Sequence, residues 1–328
     1  MTAATGVGSM PGDDATAYAE AVRVVLGEVP DLPYLPELPA RGATADMVGR
    51  ALAVMAELGA DLQPAGWRLT DPPGVDHRRA RSLLGQDLDA VEEQTQGYTG
   101  RFKIQAAGPW TLAASVERPR GDRVLADHGA RRELAQALAE GLRGHIADVR
   151  RRIPGAEIVV QVDEPALPAV LTGRVPTASG FSRHRSVDAP AASPALEWVF
   201  SAIVESGATP VAHCCAADAP VSLLTGAGAE GVSVDLGVLG VAAYDDLAVL
   251  LEQRKPVLLG VVPSVGQASA PGEKQLTEQV LRFLDMLGLD AEAVTESLVI
   301  TPACGLAGAD PDWARRALAL SRTVADNL

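Results

Sequence analysis

The feature that most constrains this chain is an alternation repeated along its whole length. Short runs rich in β-branched and aliphatic residues close on Gly, Pro or a polar side chain, and longer segments of helical apolar spacing separate them. Eight such runs are legible, at residues 5–9, 32–37, 102–107, 157–163, 209–213, 231–235, 256–261 and 297–300. Helical periods fall at 15–26, 44–58 with Thr44 as cap, 126–153, 195–206, 242–252, 273–287 and 311–324. Near-continuous apolar strands joined by helices define a parallel sheet covered on its outer face. Eight βα units in 328 residues predict an α/β fold of one kind, a single (β/α)8 TIM barrel over residues 1–328 with long loops at the C-terminal face. Two connections are long. The first, 59–100, holds a Pro and Gly rich piece at 64–74 and a helix near 88–96, and is expected to cover the mouth of the site.

In a barrel of this type the chemistry gathers at the C-terminal strand ends. The last polar residue of each run gives Ser9, Glu37, Asp163, His213 with Cys215, Asp235 and Cys304. Side chains alternate across a strand, so His213 and Cys215 share a face and Cys214 takes the other. Zinc accepts nitrogen, sulfur and oxygen donors tetrahedrally, and His213, Cys215, Asp235 and Cys304 form a chemically sensible set. The competing reading is that free cysteines and a strand histidine are ordinary core residues, and the spacing alone admits both. Three cysteines, two of them adjacent, make a poor disulfide framework. Ser9, Glu37 and Asp163 form a harder set suited to the ammonium and carboxylate of an amino acid.

Composition narrows the partners. A formal net charge of −14 opposes binding to nucleic acid or an anionic membrane. The N-terminal residues have neither a basic segment nor an apolar one, and no eighteen-residue apolar run occurs, so a cytoplasmic location is expected. Gly226 to Gly231 satisfies GxGxxG but follows a helix and precedes a strand, the reverse of a dinucleotide-binding turn. The second long connection, 166–193, carries Arg174, Arg183, His184 and Arg185, which either receive an anionic group or are solvated.

Several pieces together resemble the C-terminal barrel of the cobalamin-independent methionine synthase family. They are Val7-Gly8-Ser9-Met10-Pro11, Pro36-Glu37, Gly108-Pro109-Trp110-Thr111-Leu112, Gln161 to Leu167, His213 with Cys215, and Pro302-Ala303-Cys304-Gly305-Leu306. The pieces at 161–167 and 302–306 are specific in combination, and the likeness runs over nearly the full chain. It implies a zinc ion held by His213, Cys215, Asp235 and Cys304, with Asp235 standing where the family has Glu. It also implies that Ser9, Glu37 and Asp163 contact homocysteine, and that the reaction is methyl transfer to its thiol.

Two departures bear on the donor. The family's folate-using members carry a second, N-terminal barrel for which 328 residues leave no room. They also place an acid histidine in the segment matching residues 259–264, whereas here no histidine follows His213; His77 and His184, in the long connections, are the remaining acid candidates. The expected partners are therefore homocysteine and a methyl donor that is either a small molecule or a corrinoid protein. The alternatives are zinc-dependent alkylation of another thiol, of the coenzyme M or epoxide type, a decarboxylase of the uroporphyrinogen type, and a non-catalytic corrinoid partner.

Overall fold

The computed structural model describes residues 2–266 and 270–328. In chain order the strands are β1 (Ala3–Ala4), β2 (Gly59–Gln63), β3 (Gly66–Thr70), β4 (Thr99–Ala107), β5 (Gly155–Asp163), β6 (Thr209–Cys214), β7 (Gly231–Asp235), β8 (Val257–Val262) and β9 (Leu298–Pro302). β2 and β3 form a separate antiparallel hairpin. The other seven make one curled parallel sheet in the order β1-β9-β8-β7-β6-β5-β4.

Each strand serves two cores through its period of two. Val160, Ala212, Leu259 and Ile300 face outward into the large cluster shared with helical residues such as Leu138, Leu251 and Leu318. Their neighbours Val159, Val211, Leu258 and Val299 point inward, where with Ala3 and Leu32 they form a small closed cluster. Two residues further along, the inward columns change character. Val159 is followed by Gln161 and Asp163, and Val211 by His213 and Cys215, so the interior is apolar at one end and polar at the other.

The sheet has seven strands where eight were expected. Residues 32–37 do not form a ladder, because Pro33 and Pro36 supply no N–H. The segment still lies between the two ends of the sheet. Lys103 N donates to Pro33 O at 2.8 Å and Leu35 N to Lys103 O at 2.9 Å on the β4 side. Glu37 N donates to Gly8 O at 3.1 Å and Met10 N to Glu37 O at 2.8 Å on the other side. Isolated parallel bridges thus join Tyr34 to Lys103 and Ser9 to Glu37.

The connection 59–100 also departs from expectation. It contains the β2–β3 hairpin, clamped by Leu69 N to Glu117 O at 2.8 Å and an Arg68–Glu117 ion pair, and the helix within it is a long one, Val75–Gln94. The helix expected from Thr44 starts later, at Met47–Val54, because Asp46 is the cap and accepts from Gly49 N at 2.7 Å. Asp14, Asp127, Asp188 and Asp310 cap other helices in the same way, so part of the chain's acidity is structural. Among the described residues, no helix is long and apolar enough to cross a membrane.

His145, buried inside the helix His128–Arg152, carries a measurable consequence. Burial, assisted by the Arg50 charge, pulls its pKa down to about 4. It is neutral when folded but takes a proton in the unfolded chain below about pH 6.5. Stability is therefore full above that value and falls as pH drops toward about 4, by up to about 3 kcal/mol from this group. Denaturant titrations of wild type and His145→Gln across that window should show the variant losing this share of the slope. Parallel curves would refute the assignment.

Candidate active site

β6 and the turn after β9 bring three soft donors together. A ring nitrogen of His213 and the sulfurs of Cys215 and Cys304 all lie within 4.8 Å of one another, and the two sulfurs are 3.4 Å apart. His213 Nδ1 is 2.9 Å from Ser233 Oγ on the neighbouring strand β7, which leaves Nε2 as the free ring nitrogen. The paired thiols share a hydrogen bond that, with His213, pushes Cys304 down to about 4 and Cys215 up. Cys214 is 1% exposed in the outer core, and burial pushes its thiol up to about 12. Alternation thus turns Cys215 into the cavity beside Cys304 and Cys214 into the outer core.

One nitrogen and two sulfurs within mutual reach suit a borderline-soft divalent ion, so the donor set fits zinc. Asp235 is not part of this group. It ends β7 as expected, but its Oδ1 accepts from Gly237 N at 2.8 Å, and burial raises its pKa.

The three donors line a cavity of about 340 Å³ whose other walls include Ser9, Glu37 and Asp163. Glu37 is 5% exposed; Gln105 Nε2 donates to its Oε1 at 3.0 Å, and Arg50 Nε stands 3.4 Å away. Arg50 also pairs with Asp87 at 2.6 Å, and Arg41 holds Asp87 through two bonds at 2.7 and 2.8 Å. Asp163 Oδ1 accepts from Gln161 Nε2 at 2.7 Å. Burial, opposed by the charges of His213 and Lys103, lifts Asp163 to about 7, and burial also raises Glu37. Lys103, fully buried beneath them, donates to Val7 O at 2.9 Å and sits 5.1 Å from the Tyr34 ring centre; burial lowers it to about 8.

Ser9 is fixed where the two ends of the sheet meet: Leu306 N donates to its carbonyl at 2.8 Å and Ala307 N to its Oγ at 3.4 Å. A side chain at position 305 would collide with the Ser9 hydroxyl, which explains the glycine there. Glu164, beside Asp163 but facing outward, has a structural task. Its carboxylate accepts from Trp110 N at 2.9 Å, Thr111 N at 2.8 Å and Thr111 Oγ1 at 2.7 Å, capping the helix Pro109–Ser115 from another strand.

Sequence reading missed Lys103, Gln105, Gln161 and Arg50. The first three had a signal, since each is a polar residue at an inward position of an otherwise apolar strand; Arg50 lies between apolar helical neighbours and had none. The mouth was misplaced too. Pro39, Asp46 and Met47 line the cavity, and no residue of 59–100 does. The basic loop stays outside it: Arg174 pairs with Asp218 at 2.5 Å, His184 Nε2 lies 3.3 Å from Asp122, and Arg183 and Arg185 are exposed.

A curled parallel sheet that gathers buried carboxylates and a His–Cys–Cys group able to hold a metal ion at its C-terminal end has the layout of an α/β enzyme. The family described as "Cobalamin-independent synthase, Catalytic domain" matches residues 99–327, and the chain belongs to that family of methyltransferases. A B12-independent methionine synthase from Shewanella sp. W3-18-1, solved in complex with selenomethionine, superposes with a TM-score of 0.65 at 12% identity, covering 100% of this chain and 97% of that one. That likeness is one of fold. A 2,3-dimethylmalate lyase gives a TM-score of 0.40 at 13% identity, covering 99% of this chain and 84% of that one. A β-galactosidase from the psychrophilic Marinomonas ef1 gives 0.48 at 12%, covering 98% and 59%. No curated protein matches this chain.

Proposed function

We propose that this enzyme methylates homocysteine to methionine with the help of a zinc ion held by His213, Cys215 and Cys304. The observation that carries the reading is that one cavity holds both the soft donor group and, on its other walls, two buried carboxylates suited to an ammonium. A bound zinc ion would lower the pKa of an incoming thiol below its free value of about 8.5, so that the sulfur is nucleophilic near neutrality. Asp235 is the nearest fit for a fourth, oxygen ligand, reached by giving up its bond to Gly237.

The chain's own residues set the rest. Ser233 orients His213, while Gln161 and Gln105 orient Asp163 and Glu37 toward the amino-acid end of the substrate. Ser9 and the chain around Gly305 stand ready for its carboxylate. A sulfur–methyl bond would form as the methyl–donor bond breaks, the bonding pair leaving with the donor and the thiol proton passing to water. Coenzyme M, a sulfonate without an ammonium, would bring no cation to Asp163, whereas Glu37 keeps Arg50.

The same reading takes residues 32–37 as the eighth member of a closed (β/α)8 barrel and residues 1–328 as one domain; bridges on both sides of that segment support it. For the donor, no histidine follows His213, and neither His77 nor His184 lines the cavity. Loss of general-acid help costs roughly a hundredfold to ten-thousandfold in rate when the leaving nitrogen must be protonated. Zinc-loaded enzyme with homocysteine should therefore form methionine efficiently from methylcobalamin, and poorly from methyltetrahydrofolate as sole donor. No methionine from methylcobalamin, methyltetrahydrofolate or a methylated corrinoid protein would refute the reaction; efficient folate turnover would refute the donor assignment alone.

A further inference from the structure

A second cavity, of about 190 Å³, opens between the first turns of the helices His128–Arg152 and Ala189–Glu205. Trp110 and Trp198 are its aromatic walls, and Arg131 and Arg132 its charge. The Arg131 guanidinium lies over the Trp110 ring, with Cζ 5.6 Å from the ring centre. Its Nε is buried and has no hydrogen-bond partner among the described residues. Neither Arg131 nor Arg132 forms a salt bridge among those residues. Asp127, whose charge reaches Arg131, is already engaged, capping Ala130 N at 2.9 Å and pairing with Arg118 at 3.3 Å.

Arg118, which lines another cavity, is paired with Asp127, whereas both guanidiniums of this one are without a carboxylate among the described residues. A guanidinium that lines a cavity and has no carboxylate of its own is free to take an acceptor from outside the chain through its terminal nitrogens. The indoles add a requirement for a flat apolar body, since aromatic faces pack best against other planar groups. Arginine in turn favours the planar, two-oxygen geometry of a carboxylate.

We propose that this cavity binds a small aromatic carboxylate, its carboxylate on Arg131 and Arg132 and its ring between Trp110 and Trp198. The volume equals about six water molecules, enough for a ligand of benzoate size. None of these four residues lines the methyl-transfer cavity, so the proposal stands or falls apart from the proposed reaction.

Two of the four tryptophans line the cavity, which makes indole emission a direct probe. Titration of the full chain with benzoate should give a saturable change. Neutral benzamide should bind at least tenfold more weakly, and so should benzoate to the double variant Arg131→Gln, Arg132→Gln. Arg132 is exposed, so Arg132→Gln alone keeps the fold and should weaken benzoate severalfold. No saturable change, or equal affinity of benzamide or of the variants, would overturn the site. Inorganic phosphate competing as well as benzoate would overturn the aromatic part of the assignment.

Discussion

Cys304→Ala and Cys215→Ala will each weaken zinc binding by roughly a hundredfold or more, so that a chelator strips the ion, while Cys214→Ala will leave it at one per chain. The geometry behind this contrast is the strand period. Cys214 belongs to the outer core with Ala212, whereas Cys215 faces the cavity 3.4 Å from Cys304. Protein zinc sites bind with about 10–16 kcal/mol, so removing one of four donors costs on the order of 3 kcal/mol, roughly a hundredfold in affinity or more. Ser233→Ala removes the partner of His213 Nδ1 and should weaken zinc by about tenfold to a hundredfold without removing a ligand. Asp235→Ala should cost less than a thiolate, because the carboxylate is turned toward Gly237 and a water can replace it. Elemental analysis of the purified variants after exposure to the chelator decides the matter. Equal loss in all three cysteine variants would sink the register, and zinc retained in all three would sink the metal centre.

Much of this arrangement was legible because strand period and strand ends are written in local sequence. Ser9, Glu37, Asp163, His213, Cys215 and Cys304 were found by reading the last polar residue of each apolar run, and one cavity contains them all. Asp235 shows the limit of that procedure. Its place at the end of β7 is set by backbone pattern, but the direction of its carboxylate is set by a two-residue turn, through Gly237 N, which no periodicity encodes. The eighth strand failed for a different reason, since Leu32 to Glu37 has strand-like apolar content but two prolines that interrupt the ladder. Arg41, Arg50 and Asp87 were invisible because their meaning is tertiary. Two guanidiniums and one carboxylate on separate helical segments balance only once those segments pack together behind Glu37, whose charge is the fourth of the set.

Asp163→Asn will weaken methionine binding by roughly a hundredfold while leaving zinc in place, because a buried ammonium that loses its charged partner forfeits about 3 kcal/mol. Glu37→Gln should act in the same direction but less strongly, since Arg50 already takes part of the Glu37 charge. Methionine is the better probe than homocysteine because it has no thiol proton to confuse the pH dependence. Burial holds the ligand-free Asp163 near a pKa of about 7, so below that value the carboxyl must shed a proton before it can pair with an ammonium. The sign follows: affinity is full above the raised pKa and falls as pH drops through it, so it is greater at about pH 8 than at about pH 6. In Asp163→Asn the affinity should be low at both values and nearly independent of pH. Calorimetric titration of zinc-loaded wild type and variant at the two pH values separates the outcomes. An unchanged affinity in the variant, or a pH slope that survives the substitution, would place the substrate's ammonium elsewhere in the cavity.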